Sequence, residues 1–367
     1  MNIYRLFSLS LTLSFLTACT SPTVPEQIDP DLLQLNADTP VVVQTKVSTL
    51  AGSGSFGYAE GSGQEAQFYH PSSIVQKPDG SFLLLDRFNH RIREISADGS
   101  TSTFWGNGLR GNKEGGPEEG RFNQAISIYL HSSGDLLIAD AQNHTIRRLN
   151  NEGILSTFLG QGVDGYEEGQ GTAAAFAWPS DMVEDNEGNL YITDRFNHAI
   201  RKVTPEGSVT TLAGNGEAGS DNGQGKDASF NEPMGLTLGP DNHLYVADSQ
   251  NHLIRKVSLE GVVTTHAGSG QEGSRDDDKN RAEFRGPSSV AFDAEDRLLI
   301  VDRFNHRIRR IETDGKVRSV AGNGQPENKD GQGTEAAFSY PFDLLLDKAG
   351  HAFVADYGNH AIRKIKL

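Results

Sequence analysis

Apolar and polar positions along the chain repeat in a fixed measure. After Pro71, residues 72–76 read as a short strand, and Asp79-Gly80 supplies a turn. Phe82-Leu83-Leu84-Leu85 is then an unbroken apolar run, the pattern of a strand covered on both faces. Residues 86–89 turn the chain and residues 91–95 form a third strand. Asp98-Gly99 turns it again, and residues 101–105 form a fourth. The cycle recurs every 54 residues without insertion, marked by Asn89-His90, Asn143-His144, Asn197-His198, Asn251-His252, Asn305-His306 and Asn359-His360. Asp86, Asp140, Asp194, Asp248, Asp302 and Asp356 stand three residues before each Asn, and an Ile-Arg pair follows, as in Ile92-Arg93 and Ile362-Arg363. Phe68, Phe122, Phe176, Phe230, Phe284 and Phe338 keep the same period.

Four antiparallel strands repeated radially make propeller blades, and a blade that cannot cover its own two faces must stack in a closed ring. The expected fold is therefore all-β, a six-bladed β-propeller. We name the strands a to d within each blade. Val47-Ser48-Thr49-Leu50-Ala51-Gly52 matches Val209-Thr210-Thr211-Leu212-Ala213-Gly214, three periods on, and the last repeat stops at Leu367 after strand c. The N-terminal strand is expected to serve as strand d of blade six, which ties the ends and removes a sheet edge.

Asp-x-x-Asn-His-x-Ile-Arg after an apolar run resembles the NHL repeat, and blade four spells Asn251-His252-Leu253. The resemblance covers residues from about 45 to the C-terminus. It implies a six-bladed propeller used mostly as a binding platform. Some relatives and look-alikes are lyases or lactonases with a metal in the central channel, so an enzyme of lactonase-like or amidating-lyase-like type is the alternative. Each unit here is longer than usual because a Gly-rich stretch joins strand d to the next strand a.

Composition narrows the class. Apolar residues make up 36% of the 367, with 41 Gly, which is ordinary for a globular chain. The net charge of −16 and the lack of any Lys/Arg run argue against nucleic acid as a partner. The single cysteine, Cys19, excludes intrachain disulfides. It follows Leu16-Thr17-Ala18 and a short apolar stretch after Arg5. This resembles the lipobox of bacterial lipoproteins, which implies cleavage after residue 18 and acylation of Cys19. The expected organisation is a signal peptide over 1–18, a Pro-containing lipidated tether over 19–43 and the propeller over 44–367. Localisation would be the bacterial cell envelope, membrane-attached through the lipid alone. Thr20, rather than Asp, after the Cys points to the outer membrane.

Topology puts the b–c turns and the long d–a loops on one face, and long loops often carry function. That face is the expected recognition surface for an envelope protein, peptide or glycan. The Asn-His pairs lie one per blade, too far apart to share an ion, and suit turn hydrogen bonding. Departures from six-fold repetition carry more information. Blades one, three and five read Arg87-Phe88, Arg195-Phe196 and Arg303-Phe304 where the others read Ala141-Gln142, Ser249-Gln250 and Tyr357-Gly358. Ser72, Ser180 and Ser288 alternate in phase with Ile126, Met234 and Phe342, so the effective unit is a blade pair. Exposed guanidinium–ring pairs would bind an anionic or aromatic partner. The competing reading is that each Arg pairs with a Gly-loop carboxylate. His70, Trp178 and Tyr340 precede strand a, while Asp181 and Asp343 face each other across the channel. Such aromatic walls with a few acids suit a small-molecule or glycan pocket. No cofactor is expected, although the two carboxylates leave open a cation such as calcium.

Overall fold

A computed structural model describes residues 45–367. The expectations for residues 1–44, including Cys19, lie outside the described residues. Blade one consists of Pro71–Gln76, Phe82–Asp86, Arg91–Ile95 and Thr101–Trp105, paired antiparallel in that order. Five more sheets repeat it, with strand a at Ser127–Leu130, Pro179–Glu184, Pro233–Leu238, Pro287–Phe292 and Pro341–Leu346. Each strand a touches the strand a of the next blade, and blade six touches blade one, so the ring of six closes.

The closing strand is the expected one. Lys46–Ala51 pairs antiparallel with Ala361–Lys366, with Val47 opposite Ile365 and Thr49 opposite Arg363. Val47 is fully buried among Phe338, Val354 and Ile365.

The core lies between blades. One cluster joins Leu137, Ala139 and Ile146 of blade two to Phe176, Met182 and Ile192 of blade three. This is why the apolar b strands run unbroken: both of their faces meet a neighbouring sheet.

The Gly-rich loops do more than connect. Gly169–Gln170, Gly223–Gln224 and Gly331–Gln332 each add a short fifth strand outside strand d of their own blade. The other three loops make single bridges, Gly61 to Thr101, Gly115 to Leu155 and Asp278 to Lys316. All six outer edges are thereby partly covered, which shortens a template for association. In five blades a loop carboxylate extends the cover. Glu60 accepts the Thr103 N–H at 2.9 Å, Glu114 that of Thr157 at 2.8 Å and Glu168 that of Thr211 at 2.9 Å. Asp276 and Asp330 do the same for Ser319 and Thr49. Five of the loop carboxylates thus serve the blade edges.

Candidate functional site

The b–c turn builds the face. After strand b each blade makes one 3-10 turn, such as Arg87–Asn89, and the following His sits in the left-handed region at φ 49–55°. The motif Asp is the hub. One oxygen of Asp194 accepts the Ala177 N–H at 2.8 Å, and the other takes Asn197 Nδ2 at 2.8 Å and Arg201 Nη1 at 2.7 Å. The same Asn donates to Gly165 O, and Arg201 donates to Ala175 O and Glu167 O. Both charges are fully buried in all six blades, with N–O distances of 2.6–3.0 Å. In five blades the period-keeping Phe lies under the guanidinium, at 5.2–5.4 Å. Asp, Asn and Arg therefore pin the long loop to its blade. The His joins blade to blade: Nδ1 of His306 accepts the Tyr340 N–H at 3.0 Å, and His144, His198, His252 and His360 act likewise on Trp178, Glu232, Gly286 and His70. The motif is structural, as the ring spacing implies.

Channel alternation has a packing cause. Ile126, Met234 and Phe342 form one apolar cluster with Ala141, flanked by Trp178 and Tyr357. Three large side chains fill the axis, and the intervening serines leave them room. Ser72, Ser180 and Ser288 donate to the carbonyls of Ile126, Met234 and Phe342 at 2.9, 3.2 and 2.7 Å.

Asp181 and Asp343 lie in this channel and belong to the same tying system. Asp181 accepts from Ser127 Oγ at 2.7 Å and from the Leu236 N–H at 3.0 Å. Asp343 accepts from Ser289 Oγ at 2.8 Å and from the Ile74 N–H at 3.2 Å. Burial, and then the charge of Asp343, push Asp181 up to about 7; burial raises Asp343 as well. The cavity at this level measures about 10 Å³, room for about one water. Trp178 and Tyr340 stand at the mouth, beside other rings, so the structure does not join the four into one pocket. Each carboxylate of the pair accepts from one hydroxyl and from backbone amide donors. Among the described residues, no three His, Cys, Asp or Glu side chains converge as a metal site.

The three Arg-Phe turns converge at the mouth. Each guanidinium lies over its own Phe ring, at 5.4, 5.0 and 5.1 Å in blades one, three and five. They are more enclosed than expected: Arg87 is only 8% exposed, while Phe196 is 45% exposed. Only Arg195 pairs with a carboxylate of a Gly-rich loop, Glu232, the last residue of the loop that enters strand a of blade four. Arg87 and Arg195 each lean toward the residue before strand a of the next blade. Arg87 Nη2 meets Gln124 Oε1 at 3.3 Å, and Arg195 places Nη2 and Nε on one oxygen of Glu232 at 2.6 and 3.1 Å. The corresponding residue for Arg303 is Tyr340, and among the described residues Arg303 has no hydrogen-bond partner for its Nε. It lies instead 4.7 Å over Phe342 and 5.4 Å from the Tyr357 ring. Burial lowers Arg303 to about 10; Tyr357 partly offsets this, and the charges of Arg195 and Arg87 deepen it. Arg87 is lowered for the same first reason.

His70 closes the blade six to blade one side. Its ring stacks on Tyr357 at 4.1 Å and its Nδ1 meets Tyr357 O at 2.9 Å. Tyr357 was not among the expected site residues. Its register with Arg87, Arg195 and Arg303 in the six-fold alignment is the signal that marks it. Glu232 gives a similar case: its carboxylate beside Arg195 is visible only once the blades are laid side by side.

Residues 230–257 match the NHL repeat. The matched stretch is strands a to c of blade four, including Asn251-His252-Leu253. Among curated proteins, the chain is 33% identical over 59% of its length to Protein SUPPRESSOR OF QUENCHING 1, chloroplastic, from Arabidopsis thaliana, and covers 22% of that protein. It is 27% identical over 80% of its length to NHL repeat-containing protein 2 of Gallus gallus, covering 46% of it. The chain thus spans less than half the length of either relative. Among solved structures, an auxiliary nutrient binding protein from Bacteroides thetaiotaomicron aligns with TM-score 0.67 and 17% identity, over 88% of this chain and 76% of that one. Virginiamycin B lyase from Staphylococcus aureus aligns with TM-score 0.53 and 16% identity, over 88% and 100%. Both likenesses are of fold: one scaffold carries a binder and a lyase, so function must be argued from the site.

Proposed function

We propose that this NHL-type propeller is a binding module whose ligand seats on the axis of the face that carries the b–c turns. The observation that carries this reading is the mouth itself: Arg87, Arg195 and Arg303 on alternate blades, one carboxylate among them, and a rim of rings in which Phe196 and Tyr340 are 45% and 40% exposed. Three cations set over an apolar floor are a costly arrangement for a fold to keep unless a ligand uses it. A lyase or hydrolase centred on a channel metal has less support, because the channel at Asp181 and Asp343 has room for about one water. The N-terminal apolar stretch followed by Leu16-Thr17-Ala18-Cys19 supports tethering through a lipidated Cys19 in a bacterial envelope, with an envelope protein, peptide or glycan as partner. The net charge of −16 speaks against nucleic acid.

The test is capture from an envelope extract by the wild type and by the Arg87→Ala/Arg195→Ala/Arg303→Ala variant, with matched thermal melts as the control for folding. Capture that depends on the three arginines is expected. Equal recovery by both proteins overturns axial binding.

A further inference from the structure

We propose that the axial mouth recognises an organic phosphate monoester, with the phosphate on the guanidiniums and the organic body against the aromatic rim. This rests on the axial-binding reading above and adds the chemical class of the ligand.

Three observations lead there. The first is symmetry. Arg87, Arg195 and Arg303 occupy one register on alternate blades, so they surround the channel axis with pseudo-three-fold spacing. A monoester presents three equivalent oxygens about its own P–O(ester) axis, with the organic group directed away along it. That outline matches three forks around a shaft, whereas a carboxylate offers two oxygens in a plane. The second is charge. Three guanidiniums and the Glu232 carboxylate leave a net charge of +2 at the mouth, in a chain whose total is −16. A phosphate monoester carries about −1.5 to −2 at neutral pH, so it balances the mouth, while a sulfate ester, at −1, does not.

The third is uncommitted donors. Among the described residues Arg303 makes no side-chain hydrogen bond, and Arg87 makes one, from Nη2 to Gln124 Oε1. Guanidinium N–H groups left without protein acceptors favour a ligand that brings acceptors. Arg195 is partly committed, since Glu232 holds its Nε and Nη2. Arg87 and Arg303 therefore carry most of the recognition, and Arg195 contributes charge and its free Nη1. Below them the floor of Ile126, Met234 and Phe342 is closed and apolar. An anion cannot descend into the channel and must remain at the level of the arginines. Around them, Trp178 pairs with Phe196 at 5.5 Å and Phe304 with Tyr340 at 6.0 Å, two ring walls for a flat organic group.

Titration calorimetry on the purified full chain tests this, with phenyl phosphate, phenyl sulfate, benzoate and inorganic phosphate as probes at pH 8 and low salt. Phenyl phosphate is expected to bind tightest, with phenyl sulfate and benzoate weaker by about tenfold or more. Inorganic phosphate should bind the same site more weakly, since it lacks the ring. Arg303→Ala and Arg87→Ala should each weaken phenyl phosphate by about tenfold. Arg303→Lys keeps the charge without the fork and should fall between. Arg318→Ala, on the outer strand of blade five, should have no effect, which separates a site from general surface charge. Equal affinity for phosphate, sulfate and carboxylate probes overturns the proposal, as does unchanged binding by Arg303→Ala and Arg303→Lys. If no probe binds but envelope capture still depends on the three arginines, the phosphate class falls and axial binding stands. If capture is also unchanged in the triple variant, both fall.

Discussion

Replacing Arg201 by Met puts the repeated buried ion pair under direct load. Arg201 has no exposed surface, and it donates to Asp194 at 2.7 Å, to Ala175 O at 3.0 Å and to Glu167 O at 2.8 Å. Met fills much of the volume and donates nothing. Asp194 keeps only the Ala177 N–H and Asn197 Nδ2. Removing one partner of a buried pair costs about 3–5 kcal/mol, because the remaining charge is stranded. In a domain of this size each kcal/mol moves Tm by roughly 1–2 °C, so a fall of roughly 3–10 °C is expected. The defect carries a pH signature. Burial pushes Asp194 up to about 6 even with Arg201 pulling it down. A carboxyl raised in the folded state gives stability that is full below its unfolded value and is lost as pH rises through the folded value. Without Arg201 that loss extends to higher pH, so the gap between variant and wild type should widen from pH 5 to pH 8. Thermal unfolding followed by circular dichroism at both values measures it. A fall of less than about 1 °C at pH 8, or a larger gap at pH 5, would refute the account of the motif as a charge-dependent pin.

Val47→Asp buries a carboxylate in the closing strand among Phe338, Val354 and Ile365, so the folded fraction at 37 °C should drop sharply by circular dichroism; a wild-type melt would contradict closure by that strand. His306→Ala removes the acceptor for the Tyr340 N–H and should cost about 1–2 kcal/mol in urea unfolding. His90→Ala should cost less, because His90 Nδ1 has no partner among the described residues; equal losses would dismiss the blade-to-blade role. Asp181, raised to about 7 by burial and by Asp343, stabilises the fold below about pH 4 and loses that contribution as pH rises through about 7. Asp181→Asn should therefore flatten the decline in Tm between pH 5 and pH 8, and an unchanged decline would show that the pair does not repel in the native ring.

Much of the fold was legible because its causes are periodic. The 54-residue spacing, the apolar b strands and the Val47–Gly52 likeness carry blade number and closure, since each reflects backbone pairing that every blade must satisfy. The mouth was legible in part. The Arg-Phe alternation pointed to blades one, three and five, but whether a guanidinium faces solvent, a loop carboxylate or the next blade depends on side-chain direction across a boundary. Glu232 beside Arg195 is separated from it by 37 residues in the chain. The loops misled for a related reason: Gly and acidic residues read as exposed connectors, yet Glu60, Glu114 and Glu168 are there to accept strand amides. Asp181 and Asp343 read as pocket acids because a carboxylate in a channel signals function until its oxygens are found occupied by Ser127, Ser289 and two backbone amides.

Of the propeller's strands, the one made first by the ribosome completes the blade made last. While blades one to five are being synthesised, 46–51 has no partner in its own chain, and its likeness to the other outer strands makes it a rival for their places. Two molecules refolding at high concentration can also trade it, each finishing the other's sixth blade. Exchanged dimers that dissolve on dilution and refolding are the characteristic error of a ring fastened in this way.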